Sequence, residues 1–104
     1  MKNLKLGGIY TNSFEHIYII LEETDIKYYF FLINEEMIEK SNQEINNYLL
    51  TRLEYDQRLE LISTDILPFI YSVAKNGNTI TSINGYLGLV DEKILKTLKI
   101  YLNY

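Results

Sequence analysis

Apolar residues in this chain fall into short dense runs separated by polar spacers. The first, LKLGGIY over residues 4–10, reads as a strand in which Gly7 and Gly8 allow a bulge or a sharp bend. Ile17 to Leu21 and Tyr28 to Ile33 are β-branched and aromatic runs either side of EETDIK, a pattern that predicts an antiparallel hairpin. Ile17, Ile19 and Leu21 share one face of the first run, and Tyr18 and Ile20 the other; in the second, Tyr28, Phe30 and Leu32 oppose Tyr29, Phe31 and Ile33. Both faces are apolar. Such a strand is expected to be covered on both sides, by a helix and by the opposite wall of a barrel, whereas a nucleic-acid platform keeps one face polar and cationic.

In SNQEINNYLLTRLEY, Ser41 and Glu44 have the spacing of a capping box, so a helix should start there. Ile45, Leu49 and Leu53, joined by Tyr48, recur at helical spacing. The pattern then permits two readings: a helix ending near Tyr55 and Asp56 with a strand over 58–62, or one helix from 42 to 62. After Pro68, FIYSVAK and NTITSIN flank Asn76-Gly77, which predicts a hairpin because both turn positions favour positive φ. Asn84-Gly85 and Gly88 mark a loop, and Asp91 is placed to cap a final helix from about residue 92 to 102, with Ile94, Leu95, Leu98, Tyr101 and Leu102 as its buried stripe. The sum is a small α+β domain over residues 1–104: five or six short strands in a partly open barrel, a helix inserted between the third and fourth, and a closing helix.

Composition narrows the chemistry more than the architecture. The chain has 104 residues, 47% hydrophobic and 23% charged, a size and balance that fit one globular domain. No apolar run reaches the roughly 18 to 20 residues that span a bilayer, and MKNLKLGGIY lacks the apolar stretch of a secretory signal, so an intracellular, cytoplasmic protein without membrane contact is expected. Cysteine is absent and histidine occurs once, which excludes disulfides and thiolate metal sites and leaves no cofactor expected. No phosphate-loop, dinucleotide or nucleophile-elbow pattern occurs. Residues 15–60 hold eleven acidic groups against four basic ones, a local balance of −7 within a net −4. Nucleic-acid binding needs clustered cations, so this balance disfavours it and is compatible with a basic protein partner or with a solvated acidic surface.

Three groups of residues are candidates for function. His16 alone has an unperturbed pKa near neutrality, and to act in RNA cleavage it would need a cation such as Arg52, Arg58 or Lys5 beside it. Glu22, Glu23 and Asp25 form one acidic cluster, and Glu35, Glu36 and Glu39 another; neighbouring glutamates usually point apart, so neither reads as a metal site. Ten tyrosines are many for this length, and Tyr10, Tyr55, Tyr86 and Tyr104, beside turns or at ends, are the ones expected to be exposed. Tyr10, Tyr55 and Tyr86, together with Glu22, Glu23, Asp25, Glu35 and Glu36, make up the expected partner-binding surface.

LKLGGIY, the two apolar runs and NGYLGLVDEKILKTLKIYL together resemble the PemK/MazF-type toxins. Those proteins open on a K-x-G-x-I/V-Y strand and close on a short strand, a glycine, an acidic cap and an amphipathic helix, which Lys5 to Tyr10 and Gly85 to Leu102 imitate; about a third of the chain carries the likeness. The resemblance implies an SH3-like barrel and a metal-independent endoribonuclease with an arginine at the start of the second strand and a Thr or Ser near the end of the third. His16 and Asn34 stand at those positions. Histidine is mostly neutral where arginine is always charged, and asparagine has no nucleophilic or proton-transferring group. The first expectation is therefore a non-catalytic interaction module, on the scale of the regulators and antagonists made by mobile elements; the rival is a divergent endoribonuclease acting on RNA through His16 and Asn34. Family members are usually dimers, and an apolar edge strand favours a homodimer here too.

Overall fold

The computed structural model describes residues 3–12, 16–33, 41–58 and 70–100, and over 52–58 it describes the backbone alone. The elements are β1 (Gly8–Asn12), β2 (Ile17–Glu23), β3 (Lys27–Ile33), α1 (Asn42–Arg58), β4 (Ile70–Ala74), α2 (Asn78–Thr81), β5 (Ile83–Leu89) and α3 (Glu92–Ile100). The chain is α+β. Among the described residues its strands make one antiparallel sheet in the order β4-β3-β2-β1-β5, which does not close.

β2 and β3 form the predicted hairpin and carry both cores. Ile17↔Ile33 and Ile19↔Phe31 pair on one face, Tyr18↔Leu32 and Ile20↔Phe30 on the other. On the first face Ile17, Ile19, Leu21, Phe31 and Ile33 pack with Ile9, with Ile45 and Leu49 of α1, and with Ile94 and Leu98 of α3. On the second, Tyr18, Ile20, Tyr28 and Phe30 pack with Leu4, Tyr10, Ile80 and Ile83. Ile17, Ile19, Ile20 and Leu21 lose all exposure, and each such side chain contributes about 1.5–3 kcal/mol by leaving water. The hairpin is covered on both faces as expected, by helices on the first, but the second is closed by Leu4, Ile80 and Ile83 rather than by the wall of a barrel, since the sheet does not close.

The glycine pair makes the sharp bend its sequence suggests. Gly7 has φ +77, and the amide of Gly8 donates to Lys5 O at 3.0 Å, so the strand begins only at Gly8. Gly7 also ties three segments: its amide donates to Ile20 O at 2.7 Å and its carbonyl accepts from Val90 N at 2.8 Å. The bend sends residues 3–6 across the second core, where the amides of Leu4 and Lys5 donate to the phenol oxygens of Tyr28 and Tyr10.

The last third of the chain departs from its local signals. Asn76-Gly77 does not close a hairpin: Gly77 is extended, with φ −75 and ψ 164, and the chain continues into the single turn of α2. β4 instead pairs with β3 and β5 with β1, so the two runs flanking Asn76-Gly77 lie at opposite edges of the sheet. The reason is burial at a distance. Ile80, inside the run read as a strand, is fully buried in the second core, and that outweighs the local preference for a two-residue turn. Asn84-Gly85 and Gly88 likewise lie within β5 rather than in a loop, and two register shifts against β1 leave Asn84 and Leu87 as extra, bulged residues.

The capping box of α1 forms as expected: Glu44 N donates to Ser41 Oγ at 3.2 Å and Ser41 N to Glu44 Oε1 at 3.3 Å. α1 continues through Tyr55 and Asp56 to Arg58, so the strand read over 58–62 loses its first residue; 59–62 lie outside the described residues. α3 follows Asp91, whose carbonyl accepts from Leu95 N, and its buried residues are Ile94 and Leu98, with Leu95 packed beside them. Residues 101–104, including Tyr101 and Leu102 of the expected stripe, lie outside the described residues. No helix among the described residues is long and apolar enough to cross a membrane.

An asparagine clamp joins α1 to the turn between β5 and α3. Asn46, nearly buried, accepts from Asp91 N at 2.6 Å and donates to Asn42 O at 2.9 Å and Leu89 O at 3.4 Å; Asn42 donates to Leu89 O at 2.8 Å. Gly88, at φ +116, lies under the Asn42 amide, which would stand 2.8 Å from any Cβ added there. Asn46→Ala leaves the Asp91 amide without its partner, a loss of about 1–3 kcal/mol, while Asn47→Ala on the exposed side changes stability by no more than about 0.5 kcal/mol. Thermal unfolding followed by circular dichroism should show the first variant melting roughly 4–8 °C lower per kcal/mol and the second near the wild type.

Candidate functional site

His16 stands one residue outside the last pair of the β2–β3 ladder, Ile17↔Ile33, and is half-buried. Its amide donates to Asn12 Oδ1 at 3.2 Å, and the buried Asn12 amide donates to Tyr18 OH at 2.7 Å and to Ser82 Oγ at 3.4 Å. The imidazole meets Tyr18 edge-on, with ring centroids 6.3 Å apart. Burial pushes the Tyr18 phenol above its ordinary value of 10.0, against the opposing hydrogen bond from Asn12. Of the cations the sequence offered to His16, Lys5 lies instead over the Tyr86 ring at 5.5 Å; the side chains of Arg52 and Arg58 lie outside the described residues, as does Asn34. Among the described residues this constellation is an imidazole, a neutral phenol and two amide and hydroxyl groups. It can orient and hydrogen-bond, but it supplies no cation to hold a developing phosphorane.

The acidic tip of the hairpin divides between two faces. Ile20↔Phe30 is followed by Glu22↔Tyr29, which leaves Leu21 as a bulge, with its side chain in the first core. The bulge turns Glu22 toward α3, where Lys99 Nζ lies 3.9 Å away, and Glu23 toward β4, where Lys75 Nζ lies 2.6 Å away. Lys75 also sits over the buried Tyr28 ring at 5.1 Å, and its ammonium is held above its ordinary 10.5 first by the hydrogen bond to Glu23. Asp25 is exposed at the turn and makes no ion pair among the described residues. The structure thus separates Glu22 and Glu23 and gives each a lysine from a distant segment. Glu35, Glu36 and Glu39 lie outside the described residues, and among the described residues no group of three acidic or histidine side chains could hold a metal.

The aromatic expectation divides in the same way. Tyr86 is exposed at 46%, as anticipated, whereas Tyr10 is only 7% exposed. Tyr10 is buried because its ring meets Tyr86 at 5.1 Å and its hydroxyl is taken by the Lys5 amide at 2.8 Å, so it supports the exposed ring instead of adding to the surface. Tyr55 lies in α1 with its side chain outside the described residues, and Tyr104 lies outside them altogether. Exposed apolar groups that sequence reasoning missed are Ile26, at 68%, beside Asp25; Ile100, at 61%, at the end of α3; Leu89, at 52%, two residues before Asp91; Tyr71, at 45%, on β4; and Leu6, at 41%, ahead of the Gly7 bend. Asp25-Ile26 in the polar spacer was the one readable signal, since an isoleucine at a turn has no strand neighbour to cover it.

Comparison with protein-family models, with curated proteins and with solved structures finds no match to this chain.

The Tyr18 phenol gives a pH test of the His16 constellation. A folded pKa raised above the unfolded one contributes stability that is fully present below 10.0 and is lost as pH rises through the folded value. Melting temperatures of the wild type should therefore fall more steeply above pH 10 than those of Tyr18→Phe, which has no phenol to ionise there. Parallel curves for the two proteins would show that Tyr18 is not held neutral by its surroundings.

Proposed function

We propose that this chain is a non-catalytic protein-interaction module built on an SH3-like barrel order, acting as a regulator or antagonist on a basic protein surface. The observation that carries the reading is a pairing of chemistries. Two exposed apolar side chains, Ile26 in the β2–β3 turn and Leu89 at the end of β5, stand close in the chain to Asp25 and to Asp91 and Glu92, carboxylates in no ion pair among the described residues. Apolar contact rimmed by unneutralised acid suits a partner that is basic with an apolar centre. Glu22 and Glu23 add to that field, since both carboxylates stand at the surface, where a partner's cations can reach them. The strand order β4-β3-β2-β1-β5, with one helical turn carrying the chain between the edge strands, supports the SH3-like reading, and the inserted α1 and terminal α3 support the PemK/MazF resemblance.

A second reading, a divergent metal-independent endoribonuclease, draws on His16 standing half-buried at the head of β2. The side chains of its candidate partners Arg52 and Arg58, and the whole of Asn34, lie outside the described residues, and the first reading is preferred for the exposed apolar and acidic groups just named. Incubation of the purified protein with a mixed RNA pool, beside His16→Ala, separates the two: no histidine-dependent cleavage is expected, and its appearance would overturn the non-catalytic reading. For the partner surface, capture from the source cell should fall with rising salt and should be lost in the triple variant Asp25→Lys, Ile26→Ser, Asp91→Lys with an unchanged circular dichroism spectrum. Capture that survives these substitutions would remove the acidic surface from the proposal.

A further inference from the structure

The chain holds two Asn-Gly pairs, Asn76-Gly77 and Asn84-Gly85, and neither forms the hairpin turn that this dipeptide favours. Asn-Gly is also the pair in which asparagine most readily loses its side-chain amide, because a following residue without Cβ lets its backbone nitrogen approach the Asn Cγ. That approach requires the peptide between the two residues to rotate. Both asparagines are exposed, and neither side chain makes a hydrogen bond among the described residues. Their backbones differ. Asn76 lies in the turn between β4 and α2, where the Gly77 amide is engaged by one bond, to Ala74 O at 2.9 Å. Asn84, although a bulged residue, is pinned on either side by the pairs Asn12↔Ile83 and Thr11↔Gly85. Thr11 Oγ1 occupies the place a Cβ on Gly85 would take, so the backbone there is closed in by β1.

We propose that Asn76 is a self-modification site: in the folded chain it deamidates through a cyclic imide with Gly77, while the sheet protects Asn84. The Gly77 nitrogen gives its proton to water and bonds to Asn76 Cγ; the Cγ–Nδ2 bond breaks, and the amide nitrogen leaves as ammonia. Water then opens the imide at either carbonyl. Attack at Cγ leaves aspartate in an ordinary backbone, and attack at the Asn76 backbone carbonyl leaves an isoaspartyl link that runs through Cβ and Cγ. One water is consumed and one ammonia released, with no change of oxidation state. Freeing the Gly77 amide breaks one turn bond at the surface, which slows the reaction about tenfold or less. Freeing Gly85 requires β5 to part from β1, an opening that approaches global unfolding. Either product adds a carboxylate beside Lys75, the residue that holds Glu23. The isoaspartyl product also lengthens the main chain by one carbon just ahead of α2, whose Ile80 fills the second core. The inference stands independently of the proposed function.

The test follows the mass of each Asn-Gly peptide with time in the full chain at mildly alkaline pH, folded and unfolded in urea. Deamidation raises the mass by about one unit, and each site is compared with itself in the two states. Folding should slow Asn76 about tenfold or less and Asn84 more than ~100-fold. Asn76→Gln, whose ring closure would be six-membered, should abolish the change at this site. Gly77→Ala places a Cβ beside the attacking nitrogen at a backbone, φ −75 and ψ 164, that alanine adopts, and should slow the reaction at least ~10-fold; if it disturbs the fold, Asn76→Gln decides. An Asn76 that folding protects as strongly as Asn84, or an Asn84 that reacts as fast folded as unfolded, overturns the proposal.

Discussion

A hairpin that is apolar on both faces has to be covered twice, and the rest of this molecule follows from that requirement. β2 and β3 supply side chains to both cores, and neither face can stay in water without exposing several isoleucine or aromatic side chains at once. One face is roofed by α1 and α3. The other is closed by residues 3–6, α2 and the start of β5, elements far apart in the chain that share only their access to that surface. The bend at Gly7 and the helical turn at Asn78–Thr81 are the means by which backbone reaches the second face at all.

Two polar devices hold this arrangement in register. Successive amides of Leu4 and Lys5 end on the phenols of Tyr28 and Tyr10, so the segment ahead of β1 is positioned by hydrogen bonds to rings that are themselves core. On the opposite face, Asn42 and Asn46 fix the start of α1 to the end of β5 and the start of α3. Buried polar groups are tolerated where they are satisfied, and here they set where the helices lie against a sheet whose apolar surface alone would permit sliding.

How much of this was legible depended on the range over which the deciding interaction acts. The β2–β3 hairpin, the capping box of Ser41 and Glu44, the Gly7 bend and the amphipathic α3 are settled within a few residues, and their sequence signals are correct. Asn76-Gly77 carries an equally strong local signal that gives way to Ile80, because the core that Ile80 fills is assembled from strands distant in the chain. Asn46 reads as a surface residue of a helix until the β5–α3 turn arrives beside it. At the candidate surface, the exposure of Asp25 and Tyr86 could be anticipated from their turns and edges. The lysines that answer Glu22 and Glu23 come from residues 99 and 75, and the phenol of Tyr10 is claimed by an amide that only the Gly7 bend brings near; neither is written in local pattern.

The bulges of β5 have a consequence for assembly. A sheet with two regular edges can add chains at both and grow without limit, the geometry from which cross-β fibres arise. Among the described residues this one has an unbroken register at β4, and the doubly interrupted β5 at its far side offers no matching template. The extra residues Asn84 and Leu87 therefore guard the β5 side of the sheet against growth by strand addition.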